Sequence, residues 1–150
     1  MDRVVLIVGA VAIAALVAYL AGRRRPDSPT TPRAHVPRQV DRNDFSRPEA
    51  PWLVALFTAE TCSTCAGVWE RAQHLDSSQV AVQQLEVGRD AEIHTRYDID
   101  AVPMLLIADD EGVVRRWFVG PVNSTDLWAA VAEVREPGSV PPGCAIGESC

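Results

Sequence analysis

The chain has 150 residues, a formal net charge of −6, 47% hydrophobic residues and 23% charged ones. Residues 1–50 are either uniformly apolar or rich in proline and arginine, so the remainder has room for one small globular domain of about a hundred residues. The acidic balance excludes a general nucleic-acid binder, which needs a basic face to neutralise phosphates, and no nucleic-acid partner is expected.

From Val4 to Ala21 the sequence VVLIVGAVAIAALVAYLA carries no charge. At about 1.5 Å per residue this run reaches about 27 Å, close to the hydrocarbon thickness of a bilayer, and it predicts one transmembrane helix over residues 4–22. A cleaved secretory signal is the competing reading. It wants basic residues before the apolar run and a small-residue cleavage site after it, whereas Gly22 is followed by Arg23, Arg24 and Arg25. Only Arg3 and the terminal amine, offset by Asp2, precede the span, and Arg33 and Arg38 add to the charge behind it. The positive-inside bias therefore predicts a single-pass membrane protein with its C-terminal domain on the cytoplasmic side, an outward-facing domain being the alternative. The arginines are also placed to meet anionic headgroups.

Residues 23–50 contain Pro26, Pro29, Pro32, Pro37 and Pro48 and sustain neither a helical nor a strand period. They read as a semi-extended linker, with a short edge strand somewhere in Val36 to Phe45 as the alternative. A folded domain is expected over residues 51–136. Trp52 to Thr58, WLVALFT, is a continuous apolar run of strand length, the pattern of a strand covered on both faces. Cys62-Ser63-Thr64-Cys65 follows directly. Ala66, Val68, Trp69, Ala72 and Leu75 then recur at three- and four-residue intervals, which predicts a helix starting at or near Cys62. A second strand is expected over Val80 to Val87 and a short helix over Ala91 to Tyr97. Pro103 opens a third strand, MLLIA, and Asp110-Glu111-Gly112 turns it into VVRRWFVG as a hairpin. Asn123, three residues before Asp126, resembles an N-terminal cap for a last helix with Leu127, Trp128, Val131 and Val134 on its apolar side. The order is β-α-β-α-β-β-α. Residues 137–150, with Pro137, Gly138, Pro141 and Pro142, read as a flexible tail carrying Cys144 and Cys150.

A C-x-x-C pair after the first buried strand, with a proline opening the hairpin, resembles the thioredoxin-like superfamily. The resemblance covers Pro51 to Glu136 and rests on three motifs in register: LFTAETCSTC, the segment Tyr97-Asp98-Ile99-Asp100-Ala101-Val102-Pro103, and Phe118-Val119-Gly120. It implies an α/β fold, the thioredoxin-like three-layer sandwich. It also implies that Pro103 is cis and packs beside the cysteines, that Val102 offers backbone groups to an extended substrate, and that Thr61, Val102 and Pro103 face that substrate. Two departures stand out. Thioredoxins carry Trp before the first cysteine and Gly-Pro between the two, where this chain has Thr61 and Ser63-Thr64. Leu56 falls where many thioredoxins bury an aspartate that assists proton transfer at the second cysteine; Glu60 is nearer in sequence but reads as a solvated side chain.

Chemically, a thiol attacks a disulfide as its thiolate, and a free cysteine with a pKa of about 8.5 is mostly protonated at neutral pH. A helix N-terminus, with unpaired N–H groups and the positive end of the macrodipole, favours the anion at Cys62. Cys62 is then the nucleophile and Cys65, about one helical turn on, the resolving thiol. Cys144 and Cys150 read either as a second dithiol relaying electrons to this pair or as an idle or disulfide-linked tail. A four-thiolate zinc site would need the tail to fold back, and His35, His74 and His94 lack ligand spacing, so no metal and no cofactor beyond the Cys62–Cys65 disulfide are expected. The leading function is a membrane-anchored thiol-disulfide oxidoreductase acting on protein disulfides or dithiols, with an upstream thiol electron donor. The alternative is a non-turnover redox-sensing or partner-binding module on the same fold.

Overall fold

The computed structural model describes residues 34–139. The predicted span at 4–22, the first part of the linker, and Cys144 and Cys150 lie outside the described residues. Among the described residues no helix is long and apolar enough to cross a membrane.

The elements are β1 (Trp52–Thr58), α1 (Cys65–Ala72), β2 (Val80–Glu86), α2 (Ala91–Arg96), β3 (Met104–Ala108), β4 (Val114–Val119) and α3 (Ser124–Arg135). Their order is the expected one. They form a sheet ordered β2-β1-β3-β4 in which β1 and β2 run parallel, while β3 is antiparallel to both β1 and β4. β1 lies inside the sheet, and every residue from Leu53 to Thr58 is buried. An unalternating apolar run is what such a position requires, because neither face meets water.

Two cores flank the sheet. On one face Val54, Leu56, Leu105 and Ile107 pack against Val68 and Ala72 of α1 and Leu127, Ala130 and Val131 of α3. On the other, Leu53, Phe57, Leu85, Met104 and Leu106 pack against Tyr97, just past α2, and against Val40, Phe45 and Ala50. Among the described residues the result is the three-layer α/β arrangement, with four strands and three α-helices.

The linker predicted over residues 23–50 is corrected at its second half. From residue 34 onward the chain folds onto the domain as a strap that closes the second face. Arg42 is only 6% exposed, and its guanidinium donates to the carbonyls of Asp109 at 2.8 Å, Ala50 at 3.0 Å and Arg47 at 3.3 Å. The edge-strand alternative is realised as a single bridge, Gln39 to Val113, flanked by Val40 N–H donating to Gly112 and Val114 N–H donating to Arg38. A short 3-10 turn, Arg42–Asp44, follows, capped by the Asp41 side chain. Gly112 is required by this strap: its φ is +79°, and a Cβ there would lie 1.9 Å from the Val40 carbonyl oxygen.

Candidate redox site

Because β1, β2 and β4 share a direction opposite to β3, one end of the sheet collects the C-terminal ends of β1 and β2 and the start of β3. The Cys62 loop leaves β1 there. Cys62 N–H donates to the Ala59 carbonyl at 3.0 Å, closing a turn, and Cys65 N–H donates to the Cys62 carbonyl at 3.3 Å. Cys62 and Cys65 are joined in a disulfide. Cys62 is half-buried and Cys65 buried, so the first sulfur is the accessible one.

The helix starts later than its apolar period suggests. α1 begins at Cys65, and Cys62 stands in the turn ahead of it. Thr64 occupies the cap position without capping; its side chain makes no bond to the helix N–H groups, and its Oγ1 lies 3.7 Å from Cys62 Sγ instead. The first turn of α1 thus keeps its backbone donors clear of any side-chain cap on the side of the cysteines.

The Val102-Pro103 peptide is cis. Pro103 is buried, Val102 half-buried and Thr61 exposed. The Pro103 carbonyl accepts from Gly120 N–H at 2.8 Å, and the next residue, Met104, pairs with Phe57 of β1 and Val119 of β4. Register therefore brings Pro103 to the end of the sheet from which the cysteine loop emerges.

Leu56 is fully buried on the α1 side, paired in register with Gln84 and Leu105. It offers no carboxylate under Cys65. Thr58 and Gln84 lie on the same face, and the Gln84 amide donates to the Thr58 hydroxyl at 3.2 Å. Glu60 is exposed, but its backbone N–H donates to Glu86 Oε1 at 3.2 Å. Sequence reasoning misses Glu86, since a glutamate closing an amphipathic strand gives no signal of its own. His94 is a satisfied core histidine, with Nε2 3.0 Å from the Leu85 carbonyl and its ring edge-on to Phe57. His35 lies 3.7 Å from Asp98, and His74 is exposed. Among the described residues no group of His, Cys, Asp and Glu is arranged to hold a metal.

The sequence model of the family described as Thioredoxin matches residues 40–133, well over half the chain. The chain belongs to the thioredoxin family. Solved structures similar to this thioredoxin-family chain include a single-site mutant of a thioredoxin from Halobacterium salinarum, 22% identical, with a TM-score of 0.52, covering 62% of this chain and 80% of that one. A thioredoxin from Fasciola hepatica is 20% identical over 61% of this chain and 84% of its own, with a TM-score of 0.49. The oxidised thioredoxin of Plasmodium falciparum is 15% identical over 57% and 83%, also with a TM-score of 0.49. A search of curated proteins returned no match. A thioredoxin domain with a Cys62–Cys65 pair able to form a disulfide supports a function of the thiol-disulfide oxidoreductase kind.

Proposed function

We propose that the protein is a membrane-anchored thiol-disulfide oxidoreductase in which Cys62 is the attacking sulfur and Cys65 the resolving one. The observation that carries this reading is the disulfide itself, set where β1 gives way to α1 with Cys62 the more accessible member. In the reduced form the Cys62 thiolate attacks a protein disulfide, forming a mixed disulfide and expelling one substrate sulfur as a thiolate. The Cys65 thiolate then attacks Cys62 Sγ, forming the intramolecular disulfide and releasing the second substrate thiolate. Two electrons pass to the substrate, and an upstream dithiol donor restores the Cys62/Cys65 thiols by the reverse exchange.

The uncapped first turn of α1 supports the assignment of Cys62, since its free N–H groups and positive dipole end stabilise a nearby thiolate. Thr61, Val102 and Pro103 form the substrate-facing surface, with an extended segment of the substrate laid along the Val102 backbone. The apolar run at residues 4–22 holds the domain at a membrane, on the cytoplasmic side by the arginine asymmetry, where the ambient thiol pools favour reduction of substrates.

One observation favours the binding-module reading: with Leu56 in place of a buried acid, that position supplies no carboxylate to take the Cys65 proton, which slows resolution. The experiment is insulin-disulfide reduction by the full chain in detergent, beside a Cys65→Ala variant probed for mixed disulfides with cellular proteins. Turnover by the native pair together with trapping by the variant is the expected result. Trapping by both with no turnover would instead make this a binding module, and neither with Cys62 freely alkylated would end the enzymatic reading.

A further inference from the structure

Thr58 and Glu86 are register partners at the ends of the parallel strands β1 and β2, so the cysteine loop and the β2–α2 loop leave the sheet side by side. A last backbone bond, Val87 N–H to the Thr58 carbonyl at 2.9 Å, holds the strand ends together. Beyond it, the two loops are joined by a single side chain. Glu86 Oε1 accepts from Glu60 N–H at 3.2 Å, while Oε2 accepts from Gly88 N–H at 2.8 Å and from Arg89 N–H at 3.0 Å. The backbone that carries this carboxylate is itself fixed, because Glu86 N–H donates to Asp90 Oδ2 at 2.8 Å.

Two details show that this arrangement is built rather than incidental. Glu60 is an inner residue of the turn that Cys62 N–H closes on the Ala59 carbonyl, so the carboxylate holds the very turn that places Cys62. Gly88 leaves the space the carboxylate occupies: a Cβ at that position would lie 2.9 Å from Oε2. A side chain there obliges the flexible end of Glu86 to shift.

We propose that Glu86 is a positioning residue for the exchange between Cys62 and Cys65, an inference that rests on the oxidoreductase reading above. Resolution requires Cys65 to reach the Cys62 sulfur of a mixed disulfide, and its rate depends on how narrowly the turn fixes that sulfur. A side chain that engages backbone donors of both loops supplies that restraint from outside the helix.

The test compares full-length native protein with Glu86→Ala, Glu86→Gln and Gly88→Ala. Insulin-disulfide reduction is resolved into kcat and KM, and hydrogen exchange is followed at the Glu60 amide. Gly88→Ala keeps the carboxylate and its charge but obliges its Oε2 end to shift. The expected result is a fall in kcat of about tenfold in Glu86→Ala and a smaller fall in Gly88→Ala, with KM within about twofold of native, accompanied by faster hydrogen exchange at Glu60. Glu86→Gln, which keeps one acceptor oxygen, falls between. A merely structural role would lower the folded fraction without changing kcat per folded molecule, and that pattern overturns the inference. So does equal loss of kcat in Glu86→Gln and Glu86→Ala with native hydrogen exchange at Glu60, which would assign the effect to charge. If the native protein itself shows no exchange, the oxidoreductase reading has failed; if it turns over and all three variants match it, only the role of Glu86 has.

Discussion

The two faces of the sheet are covered by different means. On one, α1 and α3 lay ordinary amphipathic helices over Val54, Leu56, Leu105 and Ile107, and stability comes from apolar area removed from water. On the other, α2 is only six residues long, too short to cover the strands, and the strap from Ala34 to Ala50 completes the layer. The strap lacks a helical or strand ladder of its own. The buried guanidinium of Arg42 instead ties carbonyls of the strap to the domain, and Asp41 and Asp44 meet Tyr97 and Arg96. One face is held by packing, the other by packing reinforced with a few polar clips.

That contrast is sharpest at Arg42. Arg42→Ala strips donors from the carbonyls of Asp109, Ala50 and Arg47 and leaves them in a buried site, and hydrogen bonds from a charged group carry about 1.5–3 kcal/mol each before overlap. A loss of about 4 kcal/mol in urea unfolding is expected from those bonds together, with limited proteolysis cutting first within residues 34–50. Arg42→Lys should recover little, since an ammonium cannot reach three carbonyls from one planar fork. Cleavage elsewhere, or a loss under about 1 kcal/mol, would mean that the strap is held by its other contacts, Val40, Phe45 and the bonds to Tyr97 among them. On the helical face the matching change is Leu127→Ala, at a fully buried position. It should cost about 3 kcal/mol through lost transfer energy and the cavity left behind, with no new protease site in the strap.

The helical face is also the legible one. WLVALFT and MLLIA announce strands because nothing polar interrupts them, and both coincide with observed elements, β1 and β3. Leu127 and Val131 fall on the inner side of α3 as their spacing predicts. The strap reads as linker because prolines and charged residues interrupt any apolar period, while its contribution rests on three separated apolar residues, Val40, Phe45 and Ala50, and one arginine turned inward. No periodicity can reveal that. At the redox end the cysteines are legible from their spacing, and the family motif aligned on them marks Pro103 and the missing acid at Leu56. The start of α1 is not legible, because Cys62, Cys65 and Ala66 carry the helix's three- and four-residue spacing back through the turn. Neither is Glu86, whose role depends on two loops meeting through the parallel pairing of β1 with β2.

Tyr97 offers a pH-dependent way to probe the clipped face. Its hydroxyl donates to Asp44 and accepts from Asp41 N–H at 2.9 Å. Burial, followed by the Asp44 hydrogen bond, pushes its pKa up to about 12. An unfolded tyrosine ionises near pH 10, so between about pH 10 and 12 the unfolded chain releases a proton that the folded one keeps. Stability conferred by this group is complete below about pH 10 and declines as the pH rises towards about 12. Tyr97→Phe should cost about 1.5 kcal/mol at neutral pH through the lost hydrogen bonds and flatten that alkaline decline. An unchanged slope in the variant would place the alkaline sensitivity elsewhere.

The smallest effects separate the two long helices at their first turns. α3 is capped: Asn123 Oδ1 accepts from Asp126 N–H at 2.8 Å and its amide donates to the Asp126 carboxylate at 2.8 Å. Asn123→Ala should therefore cost about 1 kcal/mol and leave disulfide exchange untouched. α1 has no such bond at Thr64, and Thr64→Ala should change stability by less than about 0.5 kcal/mol. Its consequence belongs to the sulfur, because the Thr64 hydroxyl lies 3.7 Å from Cys62 Sγ and a hydroxyl able to donate to a thiolate favours the anion. Alkylation of Cys62 as a function of pH, compared between native and Thr64→Ala protein, should show a raised thiol pKa in the variant. If stability falls as it does for Asn123→Ala while the alkylation profile stays fixed, Thr64 is a helix cap after all and the first turn of α1 is not reserved for the cysteine.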